Sequence, residues 1–192
     1  MQHNEDQGVN FGRWGDPTSK LMYHDVMELA LDGVDVTGSV ADYGGANGML
    51  KEWIPQALSV DYDLTKNPDI CDDIMTHRGV YDMIVMRHVL HYMNDDAVIR
   101  LMGNIASYHD GRLLIIQFVN EDLVSKYSNS IGEVKWFRDE ADLTALLEQA
   151  WTIDKRRAVD YRVDEEFYRN RLQHPNPSSH DERIVIYELS KR

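Results

Sequence analysis

The sequence has little cysteine, no long apolar run and a shortage of basic residues. Its single cysteine, Cys71, leaves no second thiol for an internal disulfide, which favours a reducing compartment. No apolar run approaches the roughly 18 residues that a membrane span needs. The polar residues 1–10 lack the apolar stretch of a signal peptide. We therefore expect a cytoplasmic protein that does not bind a membrane.

The charge balance argues against a polyanionic partner. Acidic residues outnumber basic ones by 33 to 20, which gives a formal net charge of −13. Most of such a surface repels a phosphate backbone, so nucleic acid is not an expected partner. The best basic stretches, Lys155-Arg156-Arg157 and the pair Arg169 and Arg171, both lie among acidic residues.

The 192 residues suit one α/β domain, with an arm and helix over residues 1–37 and a core over residues 38–192. In the core, apolar strands alternate with helices, which predicts a doubly wound, mostly parallel sheet. Expected strands are Ser39–Tyr43, Ala57–Val60, a short one near Ile70, Tyr81–Met86 and Arg112–Val119. Expected helices are Met49–Trp53, one that starts at Asn94 and Asp139–Ala150. Finally, Trp151–Val163 and Arg183–Leu189 are expected to form an antiparallel hairpin at one sheet edge.

The first strand ends at an acid followed by a turn of small residues, Gly44-Gly45-Ala46-Asn47-Gly48. Such residues let the backbone turn tightly and let a ligand approach main-chain amides. The dinucleotide fingerprint G-x-G-x-x-G is not matched, because Ala46 and Met49 replace its second and third glycines. The carboxylate of Asp42 would repel a pyrophosphate and attract a cation. S-adenosylmethionine (SAM) carries a sulfonium and an ammonium and no phosphate.

Acids also follow the second and third strands. Asp61 comes 19 positions after Asp42 and is placed to accept hydrogen bonds from both ribose hydroxyls, with Asp63 as a near-equal alternative. Asp73, or Asp72 in its place, could accept a hydrogen bond from the exocyclic amino group of adenine. The carboxyl ends of parallel strands form the ligand crevice in such sheets, so these acids are expected at one site.

The segment Asp42-x-Gly44-x-Ala46-x-Gly48 resembles the first motif of the class I SAM-dependent methyltransferases, acid-x-G-x-G-x-G, with alanine for the central glycine. The segment 81–93 resembles the fourth-strand region of the same superfamily. The resemblance covers about four-fifths of the chain, from Gly38 onward. It implies a Rossmann-like methyltransferase fold, with a seven-stranded sheet whose last strand is antiparallel. It also implies SAM as cofactor and S-adenosylhomocysteine (SAH) as its product.

The resemblance further implies a set of cofactor-binding residues. The glycines would line the methionine portion, Asp42 would hold its amino group, and Asp61 would hold the ribose. Two residues after the third strand would contact the adenine, and two after the fourth would border the sulfonium. The full set is Asp42, Gly44, Gly45, Gly48, Asp61, Tyr62, Asp73, Ile74, Arg87 and His88. The alternative is structural: a tight turn, a solvated acid at Asp61 and a helix cap at Asp73.

Methyl transfer is an in-line displacement, and a base is needed only if the acceptor must lose a proton. His88 and His91 follow the fourth strand three positions apart, and either could be that base or could orient the acceptor. Their alternative is hydrogen bonding within the loop. Together with Asp95 they could form a metal site, but the chain has no H-E-x-x-H motif and no cysteine pair, so we expect no metal. His109 is expected in solvent.

The leading interpretation is an enzyme that methylates an O, N or C nucleophile of a small-molecule acceptor, as a monomer or homodimer. Three segments rich in aromatic residues and arginine could build the acceptor pocket: Phe11–Trp14, residues 120–138 and Phe167–Leu172. A protein or tRNA methyltransferase is the main alternative within the same fold. A non-catalytic SAM-binding or scaffold protein is the alternative from another class, and a nicotinamide dehydrogenase is a more distant one.

Overall fold

The structure is a computed structural model that describes residues 26–119, 125–128, 134–163 and 180–192. Within these ranges a first helix, α1, covers residues 26–31. The expected arm, the start of the first helix and the segments Phe11–Trp14 and Phe167–Leu172 lie outside the described residues.

Seven strands form one sheet in the order β3-β2-β1-β4-β5-β9-β8. Strands β1 to β5 run parallel, and β9 is antiparallel to both β5 and β8. This arrangement confirms the predicted mixed sheet with an antiparallel C-terminal strand. A separate antiparallel hairpin pairs β6 with β7. The strands are β1 Val40–Tyr43, β2 Leu58–Asp61, β3 Ile70–Cys71, β4 Met83–Arg87, β5 Arg112–Val119, β6 Ser125–Ser128, β7 Val134–Phe137, β8 Trp151–Val163 and β9 His180–Lys191.

Two further α-helices begin at side-chain caps. Helix α2, Asp95–Tyr108, is capped by Asn94, whose side chain accepts a hydrogen bond from the Ala97 amide at 2.9 Å. Helix α3, Glu140–Leu147, is capped in the same way by Asp139. Three short 3₁₀ turns complete the described helical structure: Met49–Glu52, Leu64–Lys66 and Leu90–Tyr92.

The helix predicted over Met49–Trp53 is present only as a shorter 3₁₀ turn and not as an α-helix. The chain makes a four-residue 3₁₀ turn there, Met49–Glu52, after Gly48 at φ +78°. Pro55 follows closely and disfavours helical backbone at Ile54, so the segment is too short to propagate an α-helix. The turn still buries Leu50 fully, in the apolar cluster that also contains Val40.

The core consists of two apolar clusters, one on each face of the sheet. Successive strand residues point to opposite faces, so Val40 joins the cluster under α1 while Ala41 joins the one under α2 and α3. The prediction that His109 is in solvent is wrong, because the residue is 2% exposed and its Nε2 lies 3.1 Å from the Arg112 carbonyl oxygen. Its ring packs near Trp151, at the amino end of the strands.

Candidate functional site

The chain reverses its direction across the sheet between β1 and β4. From β1 it moves outward through β2 to β3, and it then returns to add β4 on the other side of β1. Asp42 lies near the end of β1, and Arg87 ends the neighbouring β4. This switch point is where an open α/β sheet leaves a crevice for a ligand.

A buried ion pair joins the two strands at the switch point. Arg87 donates from Nε to Asp42 Oδ1 at 3.1 Å, and its Nη2 donates to Oδ2. The side chains are 7% and 1% exposed, respectively. Burial raises the pKa of Asp42, as does the nearby Asp61 carboxylate, and burial lowers the pKa of Arg87 to about 9. Each charge therefore depends on the other for its stability in the interior.

The glycine-rich turn has positions that only glycine can fill. Gly44 has φ +71°, and a Cβ atom there would lie 2.6 Å from Val89 Cγ2. A Cβ atom at Gly45 would lie 2.6 Å from the carboxyl carbon of Asp42. Gly48 also lies in the left-handed region, with φ +78°. The turn thus packs directly against Asp42. Its backbone comes so close to Asp42 and Val89 that there is no space for side chains at Gly44 and Gly45, which explains these two glycines.

Ala46 takes the left-handed conformation as well, with φ +48°. This is the position at which the methyltransferase motif has its central glycine. The amide of Ala46 donates to Asp61 Oδ2 at 3.2 Å, which anchors the turn to the tip of β2. An alanine side chain therefore occupies a backbone conformation that costs it free energy.

Asp61, and not Asp63, faces the glycine-rich turn. Asp61 is 4% exposed and accepts from the amides of Ala46 at 3.2 Å and Asp63 at 3.0 Å. The Asp63 side chain instead accepts from the amide and hydroxyl of Thr65, at 3.0 and 2.6 Å, and caps a 3₁₀ turn. Tyr62, between them in the sequence, is 51% exposed.

The two acids after β3 differ in their partners. Asp72 accepts from the Asp73 amide and contacts His77 Nδ1, both at 2.8 Å. Asp73 is exposed, and among the described residues its carboxylate accepts one hydrogen bond, from the Met75 amide to Oδ1 at 2.9 Å. Ile74 beside it is 7% exposed. The carboxylate of Asp73 therefore has more room than that of Asp72 to accept further hydrogen bonds. Its hydrogen bond from the Met75 amide is also the one that a residue capping a turn would make.

His88 and His91 lie at the tips of β4 and β5, against aromatic rings. His88 has φ +52°, and its ring stacks on Phe118 with centroids 5.3 Å apart. Burial and the charge of Arg87 lower the pKa of His88 to about 3. A base with so low a pKa removes protons poorly near neutral pH.

His91 is the more enclosed of the two histidines, at 4% exposed. Its ring centroid lies 4.0 Å from that of Tyr92, 4.6 Å from Phe118 and 6.3 Å from Phe137. Its Nδ1 lies 3.2 Å from Gln117 Nε2. Burial lowers the pKa of His91 well below its ordinary value, and the positive charge of Lys135 lowers it further.

Arg138 fixes the loop that carries His91, and no sequence motif marks it. Its guanidinium donates to the carbonyl oxygens of Leu90 at 3.1 Å and Met93 at 2.6 Å, and to Asp95 Oδ1 at 2.7 Å. Asp95 therefore pairs with an arginine. Within the described residues, no group of three or more His, Cys, Asp or Glu could hold a metal ion. None of the helices in those ranges is long and apolar enough to cross a membrane.

Comparison with known proteins identifies the fold. Neither a protein-family model nor a curated protein matches this sequence. Among solved structures, the chain is similar to the mitomycin 7-O-methyltransferase MmcR, at 18% identity and a TM-score of 0.57 over 97% of this chain and 62% of that one. It thus spans less than two-thirds of that enzyme.

Two further similar structures match over nearly their full length. The 1,6-didemethyltoxoflavin-N1-methyltransferase of Burkholderia thailandensis, solved with bound 1,6-didemethyltoxoflavin and SAH, has 16% identity and a TM-score of 0.60, over 98% of this chain and 91% of that one. The N-methyltransferase NodS of Bradyrhizobium japonicum WM9, solved with SAH, has 13% identity and a TM-score of 0.59, over 94% and 91%. The chain therefore has the Rossmann-like fold of the class I SAM-dependent methyltransferases, as its sequence motifs predict.

Proposed function

We propose that this protein binds SAM at the tips of β1, β2 and β3 and transfers its methyl group to a small-molecule acceptor, releasing SAH. The observation that carries the proposal is the convergence of Asp42 and Asp61 on the glycine-rich turn at the switch point of the sheet. Gly45 packs on Asp42, and the Ala46 amide binds Asp61. Solved proteins with this fold that contain SAH support the choice of cofactor.

The chemistry of these residues fits the parts of SAM. Asp61 would accept from the ribose hydroxyls with Tyr62 alongside, and Asp73 with Ile74 would contact the adenine. The methionine portion would lie along the turn. Its ammonium and carboxylate match the opposite charges of Asp42 and Arg87. The residues that would line the methionine portion are Gly44, Gly45 and Gly48.

The acceptor would lie on the other side of the switch point, at His88 and His91. Bound SAM supplies a methyl carbon that its sulfonium already activates, so the protein mainly positions the acceptor and excludes water. His88, next to Arg87, would border the sulfonium. His91, among aromatic rings, would contact the acceptor, as a base or as an orienting group. The net charge of −13 supports a small acceptor over a nucleic acid.

Transfer of a labelled methyl group tests this function. The protein is incubated with methyl-labelled SAM and a cell extract separated into small-molecule, protein and RNA fractions. We expect label in the small-molecule fraction with wild type and with Asp110→Asn, a surface change at the opposite end of the sheet. Asp61→Asn should lose most of it.

Three outcomes would contradict the proposal. Label in protein or RNA would support a macromolecular acceptor. Saturable SAM binding with no transfer into any fraction would support a SAM-binding scaffold. Equal transfer by Asp61→Asn and wild type would remove Asp61 from the cofactor site.

A further inference from the structure

The side-chain amide of Gln117 makes three contacts at the base of the loop that carries His91. Gln117 is 3% exposed. Its Oε1 accepts from the Leu90 amide at 3.1 Å. Its Nε2 lies 3.3 Å from the Phe118 carbonyl oxygen and 3.2 Å from His91 Nδ1. The amide is thus held on both sides by backbone groups of fixed polarity.

Those backbone groups decide which way the amide faces. The Leu90 N–H is only a donor, so the atom opposite it must be the Gln117 oxygen. The Phe118 C=O is only an acceptor, so the atom opposite it must be the nitrogen. The reversed amide would set donor against donor at the buried contact with Leu90 and acceptor against acceptor at the part-buried contact with Phe118. Gln117 therefore presents an N–H to His91 Nδ1.

A nitrogen that receives a hydrogen bond from Gln117 cannot itself carry a proton. Neutral His91 must then carry its proton on Nε2, and imidazolium formation would set two N–H groups against each other. Its charged surroundings act in the same direction. Lys135 on β7 and Arg138 both disfavour a positive imidazole. His88 and Tyr92 also lie near the ring, and His88 is itself neutral near neutral pH. Within the described residues, Gln117 is the one hydrogen-bond partner found for the His91 ring.

We infer that His91 donates a hydrogen bond from Nε2 to an oxygen of the methyl acceptor and does not remove a proton from it. The inference rests on the proposed function and decides between the two roles open to His91 there. A general base needs the opposite arrangement, with Nδ1–H held by an acceptor and the Nε2 lone pair facing the substrate.

This polarity selects a class of acceptor. The acceptor oxygen that fits a hydrogen-bond donor at His91 is one that has already lost its proton, as in a phenolate, enolate or carboxylate. Such an oxygen needs no base. In the transfer, a lone pair of that oxygen forms the O–C bond, the C–S bond breaks, and the electron pair stays on the sulfur of SAH. No proton moves. Phe118 and Phe137 beside His91 suit a planar group, and Lys135 suits its negative charge.

Two other histidines in the chain provide internal standards for the test. His77 Nδ1 contacts the Asp72 carboxylate, an acceptor, so its Nδ1 must be protonated. His109 Nε2 contacts the Arg112 carbonyl oxygen, so its Nε2 must be protonated. Nitrogen-15 NMR of imidazole rings distinguishes protonated from unprotonated nitrogens, and His91→Gln identifies the His91 signals.

The first experiment records these spectra on the free protein between pH 6 and 8. We expect His91 to match His109, protonated on Nε2 alone throughout, and unlike His77. In Gln117→Glu, the glutamate can still accept from the Leu90 amide but can no longer donate to His91, so His91 should change to the Nδ1–H form. Protonation of Nδ1 in the wild type would overturn the inference and leave the proposed function intact.

The second experiment asks whether Gln117→Glu raises or lowers the rate of methyl transfer. If His91 donates from Nε2, Gln117→Glu should lower methyl transfer about tenfold or more, because a lone pair then faces the acceptor oxygen. SAM affinity serves as a control and should stay close to wild type. The urea unfolding midpoint should fall, because the glutamate cannot donate to the Phe118 carbonyl oxygen, so transfer is compared under conditions where both proteins are folded. If His91 were a base, the same variant should raise transfer, since a carboxylate on Nδ1–H makes Nε2 more basic, and that result would overturn the inference. Absence of transfer in the wild type would count against the proposed function alone.

Discussion

The two sides of the switch point carry opposite chemistry. The tips of β1 to β3 present carboxylates: Asp42, Asp61, Asp72 and Asp73. The tips of β4 and β5 present histidines and aromatic rings, with Lys135 and Arg138 close to His91. One side suits a ligand with hydroxyl and amino donors and positive charge, and the other suits an electron-rich acceptor. Charge alone would therefore direct a cationic methyl donor to the first side and an anionic nucleophile to the second.

Arg87 is the exception, since it belongs to β4 but pairs with Asp42 on β1. Replacing it by methionine would leave a buried carboxylate without its partner. We expect Arg87→Met to lower the free energy of unfolding by about 3–5 kcal/mol. Urea unfolding measures this change.

Two controls accompany the Arg87 prediction. Lys191→Met, which breaks an exposed pair with Asp110, should change stability little. Adding Asp42→Asn to Arg87→Met should restore part of the loss, because the uncompensated charge is then gone. A loss under about 1 kcal/mol for Arg87→Met would show that the pair is not buried as described.

The cofactor side can be tested with two neighbouring acids. Asp61 faces the glycine-rich turn, while Asp63 caps a 3₁₀ turn. We expect Asp61→Asn to weaken SAM binding about 30-fold, which corresponds to about 2 kcal/mol for lost hydrogen bonds to a charged group. Asp63→Asn should weaken it less than about threefold. Isothermal titration calorimetry measures both affinities, and the reverse order would assign the ribose to Asp63.

The burial of His91 can be tested through the pH dependence of stability. The pKa of His91 lies well below its ordinary value in the folded state, because of burial and then Lys135. In the unfolded chain a histidine takes up a proton near pH 6.5, so the unfolded state binds more protons below that pH. The contribution of His91 to stability is therefore fully present above pH 6.5. It is lost as pH falls, by about 1.4 kcal/mol for each pH unit.

Comparison of His91→Gln with wild type measures this slope. The variant should lose less stability than wild type between pH 7 and 5 in urea unfolding experiments. Parallel curves for wild type and His91→Gln would contradict the burial of a neutral imidazole.

The smallest expected effect concerns the turn itself. Ala46 has φ +48°, where a glycine costs less. We expect Ala46→Gly to raise the free energy of unfolding by about 1 kcal/mol and to leave SAM binding within about twofold of wild type. Gly45→Ala should instead lower the free energy of unfolding, because the new Cβ would collide with the Asp42 carboxyl group. Thermal unfolding of both variants compares them, and destabilisation by Ala46→Gly would contradict the assigned conformation.

The sheet and its acidic tips could be predicted because they depend on local patterns. Buried strands are continuous apolar runs, as in Met83–Met86, and an acid at a strand end is visible in the sequence. The helix predicted at Met49–Trp53 forms only a 3₁₀ turn, because the backbone of a short segment between a glycine and a proline is set by those two ends. The prediction that His109 lies in solvent failed because its burial depends on packing against Trp151, which is far away in the sequence.

The contacts of Arg87, Arg138 and Gln117 could not be predicted from the sequence. Arg87 reaches a carboxylate 45 positions earlier, and Arg138 reaches a loop about as far away. The orientation of Gln117 depends on two backbone groups brought together by the pairing of β4 and β5. Contacts of this kind join residues that follow no regular spacing in the sequence, so only the folded structure reveals them.

The central claim is that the switch point binds a cationic nucleoside without a pyrophosphate. Calorimetric titration of the wild-type protein with SAM, with NADH as the competing ligand, tests it directly. We expect saturable binding of one SAM per chain that NADH does not displace. Binding of NADH in place of SAM, or no binding of SAM at any attainable concentration, would contradict it.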